Sequence, residues 1–378
     1  MRTKLIALLL MISVLFSAAA HAGNDVPSVT ARVIEIGKYG HALLDITIDA
    51  FQAAGFTLGD IVSVTAGSFS GDMPYLNGFY VDEGETVLRA YPGHTNIDVC
   101  INYGKFNELS GVEPGDEVTI TLKEKAGALA LQEINNLAYT ENRDDYASDE
   151  IFANFRPVVA GDIAPGMLYR SASPVNNQYG RAPCAYKLFS EAGIRAVMNI
   201  ADTDEELQAR FAADDFFAVS YKDLYEAGSV IPLGLPVNFE AEEFIAGIVR
   251  GFTFLSEQEP PYLVHCTESK DRTGYACMLL EMLAGADTQE IIFDYMLSYT
   301  NYYGIEPGTD RYDYLAEKNI ELMMASVASL EKGSDLEHVI WQPVAESFLA
   351  SHGMAPEAIS ALESMLAGYG AEALLPAA

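Results

Sequence analysis

The sequence predicts two folded parts. A small β-barrel-like domain comes first, and an α/β domain with a largely parallel sheet flanked by helices follows. Three observations carry this. Between residues 29 and 122, short alternating runs are punctuated by glycine, the pattern of closely spaced strands in a barrel or sandwich. Beyond residue 150, strand-like and helix-like segments take turns, which calls for an α/β layer fold. The chain has 378 residues and is half hydrophobic, so it is long enough for two domains and apolar enough to fold.

Residues 1–22 read as an export signal rather than as structure. Arg2 and Lys4 form a basic start, residues 5–16 are apolar, and Ala20-His21-Ala22 fits a small-x-small cleavage site before Gly23. The apolar run is short for a membrane span and no second one follows, so no stable membrane anchor is expected. The expected location is the periplasm or the exterior. With 22 basic and 54 acidic residues the net charge is −32, which excludes a basic nucleic-acid footprint and argues against general attraction to anionic membranes. An anionic substrate therefore needs a local cationic pocket. Four cysteines, Cys100, Cys184, Cys266 and Cys277, are too few for a disulfide framework, and Cys100 and Cys277 read as buried free thiols.

Residues 23–125 make the barrel-like domain, with strands expected at 29–36, 41–48, 61–64, 97–103 and 117–122. Leu58-Gly59-Asp60-Ile61-Val62-Ser63-Val64 echoes Pro114-Gly115-Asp116-Glu117-Val118-Thr119-Ile120, a Gly-Asp turn feeding an alternating strand each time. His41 and His94 stand isolated, and no nucleophile, metal set or phosphate loop is visible here, so the role of this domain is not readable. Residues 126–150 are a connector, with a short helix at 126–138 and a polar run from Glu141 to Glu150.

The second domain runs over residues 151–378. A helix near 185–192 turns at Gly193 into a strand at 196–200, and 216–221 suggests another strand. Residues 239–257 form an amphipathic helix with Phe244, Ile248, Phe252 and Leu255 on one face, stopped by Pro260-Pro261. A buried strand at 262–265 and a helix at 273–284 follow. The aromatic run 294–303 fits helical core packing or a pocket wall, and 345–366 reads as a closing helical pair.

The decisive segment is His265-Cys266-Thr267-Glu268-Ser269-Lys270-Asp271-Arg272-Thr273-Gly274. A strand stops at a cysteine, five residues make a loop, and an arginine opens a helix. Loop N–H groups and the helix dipole together cradle an anion. Arg272 offers two parallel N–H bonds to phosphate oxygens, and Cys266 supplies a nucleophile that works as its thiolate.

This segment resembles the His-Cys-x5-Arg-Ser/Thr signature of the protein tyrosine phosphatase superfamily. Lys270-Asp271-Arg272-Thr273-Gly274 is similar to the ending found in its bacterial tyrosine and phosphoinositide phosphatases. Asn154-Phe155-Arg156, Pro165-Gly166-Met167-Leu168-Tyr169-Arg170-Ser171 and Gly193-Ile194-Arg195-Ala196-Val197 resemble other blocks of that subgroup. The likeness spans about residues 151–370 and implies a phosphatase-like α/β domain. It also implies a hydrolase with no cofactor and no metal, acting through a phosphocysteine on a phosphorylated protein or, second, on a phosphoinositide or inositol phosphate. Cys266, Arg272 and Asp271 are then catalytic. Thr267, Glu268, Ser269, Lys270 and Thr273 bind substrate, with Thr273 placed to hydrogen-bond the sulfur, and His265 supports the loop. The general acid is Asp271 by this likeness, with Asp223 and then Asp202 in reserve, because no Trp-Pro-Asp sequence is present. Arg156 and Arg170 either reach phosphate groups or brace the loop. Ser269 stands where many members have glycine, which tightens the loop and allows a weak or silent phosphate-binding module as the alternative.

Overall fold

The computed structural model describes residues 26–369; the export signal expected at 1–22 lies outside the described residues. The chain divides into two compact units between Asn136 and Leu137.

The first unit is a closed barrel of seven strands: β1 (Ser28–Ile36), β2 (Ala42–Thr47), β3 (Ile61–Ala66), β4 (Phe69–Leu76), β5 (Thr86–Arg89), β6 (Asn96–Ile101) and β7 (Glu117–Glu124). They run in the order β1-β2-β6-β5-β4-β3-β7, closed by β7 against β1. All pairs are antiparallel except β4 with β5. Alternate residues such as Val62, Val64, Val118 and Ile120 point into the core, which is why the alternation was legible. The repeated Gly-Asp turn is a real structural repeat. Gly59 and Gly115 sit at φ +90° and +102°, and Asp60 and Asp116 each accept the N–H three residues back, from Thr57 at 2.7 Å and Glu113 at 2.8 Å. The two strands they launch, β3 and β7, lie side by side. β4 and β5 are strands that alternation alone did not reveal; Gly71 and Pro74 interrupt the pattern of β4.

In the second unit, β8 (Arg156–Pro157), β9 (Leu168–Ser171), β10 (Ala196–Asn199), β11 (Val230–Pro232) and β12 (Tyr262–His265) form one sheet in the order β11-β10-β12-β9-β8. The three pairs around β10, β11, β12 and β9 are parallel, and β8 is antiparallel to β9. Every residue of the central β12 is buried, as its unbroken apolar run requires. In open parallel sheets, ligands meet the carboxyl ends of strands, and Cys266 directly follows the end of β12.

One expected element is corrected. Residues 216–221 are not a strand; Val219–Glu226 is a helix, and Val230–Pro232 takes the sheet position. Ala218 and Tyr221 are buried, with Leu224 and Tyr225 packed on the same cluster. That is a three-to-four-residue spacing, and it outweighs the β-preference of the aromatic run. The helix expected at 239–257 spans Glu242–Ser256, and the closing pair is Trp341–Ser351 with Pro356–Leu366. All four cysteines are free, with Cys100 and Cys277 buried.

Candidate active site

The site grows from the end of β12. Residues 266–270 form a loop, and Asp271 opens the helix Asp271–Leu283. That helix is buried along nearly its whole length, so its start is firmly held. Gly274 permits the close fit: a Cβ there would lie 2.5 Å from the Tyr295 ring in the helix Thr288–Tyr303.

The loop's carbonyls are tied down from behind. Ser173 N–H donates to the Thr267 carbonyl at 3.1 Å, and Tyr302 hydroxyl to the Glu268 carbonyl at 2.7 Å. The Ser269 carbonyl accepts from Arg170 Nη2 at 2.5 Å and from Asn154 Nδ2 and Ser298 Oγ, each at 3.3 Å. In contrast, the N–H groups of Thr267, Glu268, Ser269 and Lys270 donate to no protein acceptor among the described residues. A backbone held by its oxygens on one side presents its N–H groups on the other.

Ser269 holds the strained position. Its φ is +60°, in the left-handed region that favours glycine, and it is fully buried. Its hydroxyl accepts from Arg170 Nε at 3.2 Å, a contact glycine cannot make. Arg170 also pairs with Asp294, which binds Arg156 Nε at 2.8 Å. Burial raises the Asp294 carboxyl, but Arg156 and Arg170 outweigh it and hold the group well below the usual range. Arg156 and Arg170 are therefore braces behind the loop. Glu281, buried nearby, is pushed up by burial and then by Asp294.

His265 is fully buried. Its Nδ1 lies 3.2 Å from the Cys266 carbonyl and its Nε2 2.9 Å from the Tyr221 hydroxyl. A carbonyl only accepts, so Nδ1 carries the proton and Nε2 accepts from Tyr221. Burial lowers the ring's pKa well below its ordinary value, against an opposing pull from Asp202, so the ring is neutral. Asp202 itself accepts from Asn199 Nδ2 at 3.0 Å and Arg210 Nη2 at 2.8 Å. Asn199 also donates to the Tyr221 hydroxyl at 3.2 Å, so Asp202 belongs to the support of His265.

The remaining loop residues divide by direction. Cys266 is 3% exposed. Arg272 donates from Nη2 to Thr267 Oγ1 at 3.0 Å and from Nη1 to the Leu235 carbonyl at 2.9 Å, which folds it back toward the loop. The Glu268 carboxylate accepts from Tyr139 hydroxyl at 2.6 Å and lies 3.9 Å from Arg181. Arg181 packs 4.7 and 4.5 Å from the rings of Tyr139 and Tyr302. Lys270 Nζ sits 5.5 Å from the rings of Tyr299 and Tyr303 and 3.8 Å from Asp271. Burial pulls its ammonium down, but Asp271, Tyr299 and Tyr303 win and the net shift is upward. Asp271 is raised, chiefly by burial, against the pull of Lys270. The Thr273 hydroxyl is buried and makes no hydrogen bond among the described residues, to the sulfur or otherwise. Asp223 lies in the helix Val219–Glu226 beside Phe189, Ser190 and Gly193, a pocket that no residue of the loop lines. Sequence reasoning missed Tyr139, Arg181 and Tyr221, which carry no local motif.

A cysteine directly after a strand, a loop of unclaimed N–H groups and an arginine at a helix start form an arrangement that can cradle a tetrahedral oxyanion. The sequence profile of the tyrosine phosphatase family matches residues 153–368, and the chain belongs to that family. No curated protein matches the chain. Among solved structures, the crystal structure of an uncharacterized conserved protein from Thermotoga maritima is 23% identical. That match covers 25% of this chain and 36% of the other, with a TM-score of 0.24.

Proposed function

We propose that the protein is an exported, metal-independent phosphomonoester hydrolase that works through a phosphocysteine on residue 266. The observation that carries this is the loop itself, with its carbonyls anchored behind and its N–H groups unclaimed around the cysteine. The thiolate of Cys266 attacks phosphorus as the phosphorus–oxygen bond to the leaving group breaks. Asp271 gives its proton to the departing oxygen, a task suited to a carboxyl raised by burial. Loop amides and Arg272 hold the equatorial oxygens. Water, giving a proton back to Asp271, then breaks the sulfur–phosphorus bond and restores the thiolate. Thr273, whose hydroxyl has no competing partner, donates to the leaving sulfur in this second step. His265 contributes through the Cys266 carbonyl. Glu268 and Ser269 contribute their amides, since their side chains face Tyr139 and Arg170.

Phosphotyrosine on protein ranks first as substrate, and a phosphoinositide or inositol phosphate second. Lys270 against Tyr299 and Tyr303 offers both an aromatic wall and an extra cation. A comparison of kcat/KM for a phosphotyrosine peptide, a phosphoinositide and inositol hexakisphosphate decides; a preference above about tenfold, or ~1.4 kcal/mol, for either inositol substrate reverses the ranking. The chemistry is tested by aryl phosphate hydrolysis in EDTA with Cys266→Ser as control. Activity is expected in EDTA and none in the variant. A need for divalent metal, or activity surviving in Cys266→Ser, defeats the cysteine mechanism. Phosphate-analogue binding without turnover in the unaltered chain supports a silent module instead. A retained Met1 in protein from its native host defeats export.

A further inference from the structure

The barrel unit carries a cleft lined entirely by its own residues. Two adjoining cavities of about 680 and 710 Å³ share Lys38, Tyr39, His41 and Phe79, a size that suits a small ligand. Tyr39, Tyr91 and Tyr103 are 64%, 44% and 89% exposed, and each lines one or both cavities. They are the exposed large aromatics among the described residues of the barrel unit. Tyr103 is also strained. Its φ is +53°, a conformation bulky residues rarely adopt, while the adjacent Gly104, which adopts it freely, does not take it. Strain that keeps an exposed ring at the mouth of a cavity points to use of that ring.

One cation here is left over. Acids outnumber bases more than twofold in the chain, yet Lys38 lines both cavities with no ion-pair partner among the described residues, its Nζ 5.2 Å from the Tyr39 ring, while Lys105 is paired with Glu108 at 2.7 Å. Asp98 is spent on Arg89, which holds its two oxygens at 2.6 and 3.0 Å. Arg89 in turn lies 4.4 Å from the Phe79 ring and 5.0 Å from that of Tyr91. His41 is lowered by burial and then by Arg89, against an opposing pull from Asp98. His41, Asp98 and Cys100 bring their ligand atoms within 4.8 Å of one another, but the guanidinium on Asp98 opposes a metal cation there.

We propose that this cleft binds a small planar aromatic anion, its ring stacked on the exposed tyrosines and its negative group beside Lys38. Aromatic stacking is strong enough that losing one ring weakens binding about tenfold.

The test is calorimetric titration of the full-length protein with 2-naphthoate, and with neutral 2-naphthamide for comparison. Naphthoate is expected to bind the unaltered protein and Arg272→Met alike, which separates this cleft from the phosphatase loop. Tyr103→Ala and Lys38→Glu should each weaken it about tenfold. Both positions are exposed, so the substitutions leave the barrel folded. Naphthamide binding as tightly as naphthoate, binding indifferent to both barrel substitutions, loss of binding in Arg272→Met, or no binding at about 1 mM each overturns the proposal.

Discussion

Ser269 offers a measurement of how the loop holds its shape. Ser269→Ala and Ser269→Gly both delete the hydroxyl that accepts from Arg170 Nε at 3.2 Å. A bond to a charged donor is worth about 1.5–3 kcal/mol, and the long distance puts this one at the low end. Alanine keeps the left-handed penalty that serine already bears at φ +60°, so Ser269→Ala should cost about 1.5 kcal/mol. Glycine loses the same bond but recovers about 1–2 kcal/mol of backbone strain. It gives back about 0.4–1 kcal/mol through its freer unfolded chain. Ser269→Gly should therefore be about 0.5–1 kcal/mol more stable than Ser269→Ala and about 0.5–1 kcal/mol less stable than the parent. The assay is urea unfolding followed by tryptophan fluorescence. The sole tryptophan, Trp341, is buried in the second unit with its indole N–H on Thr288 Oγ1 at 2.8 Å, so the signal reports that unit. If the glycine variant proves less stable than the alanine variant, the strain argument fails and the Arg170 contacts alone set the loop.

Asp271→Asn should cut turnover by about 10²–10⁴-fold on alkyl phosphates and less on activated aryl phosphates, with the basic limb of the pH–rate profile flattened. Equal loss on both substrate classes makes Asp271 a loop-shaping residue. Asp294→Asn leaves Arg156 and Arg170 short of a negative charge in a buried site and should cost about 3–5 kcal/mol in the same unfolding assay. His265 is neutral when folded, while the unfolded ring takes a proton below its ordinary 6.5. Its share of stability is whole above that pH and drains away as pH falls toward the lower folded value, at about 1.4 kcal/mol per unit. His265→Asn should shed that slope, and an unchanged slope between pH 6.5 and 5 refutes the assignment.

What was legible in the sequence shared one property, which is that its physics is local. Residues 265–274 are contiguous, so a strand end, a nucleophile, a loop and an arginine announced themselves together. The Gly-Asp turns were equally local, each closed over three residues. The reading failed at 216–221, where aromatic residues with strand preference sit at helical spacing and tertiary packing on Phe189 and Tyr221 decides. Nor did any pattern connect Tyr139 to Glu268, 129 residues away, or choose between phosphate contact and bracing for Arg170. That choice was made by Asp294, whose carboxylate is visible only once the helix Thr288–Tyr303 is packed.

The anchoring of the loop's oxygens also sets when in the life of the chain reactivity begins. Asn154, Arg170 and Ser298 reach the Ser269 carbonyl from 115, 99 and 29 residues away, on both sides of the cysteine in the chain. A partial length of polypeptide that stops short of Ser298 lacks one of the three anchors of that carbonyl. Cys266 exists from the moment it is synthesised, but the anchored loop around it is complete only with the helix Thr288–Tyr303. On the proposed mechanism, activity in this protein would thus be a certificate of completed folding, issued late.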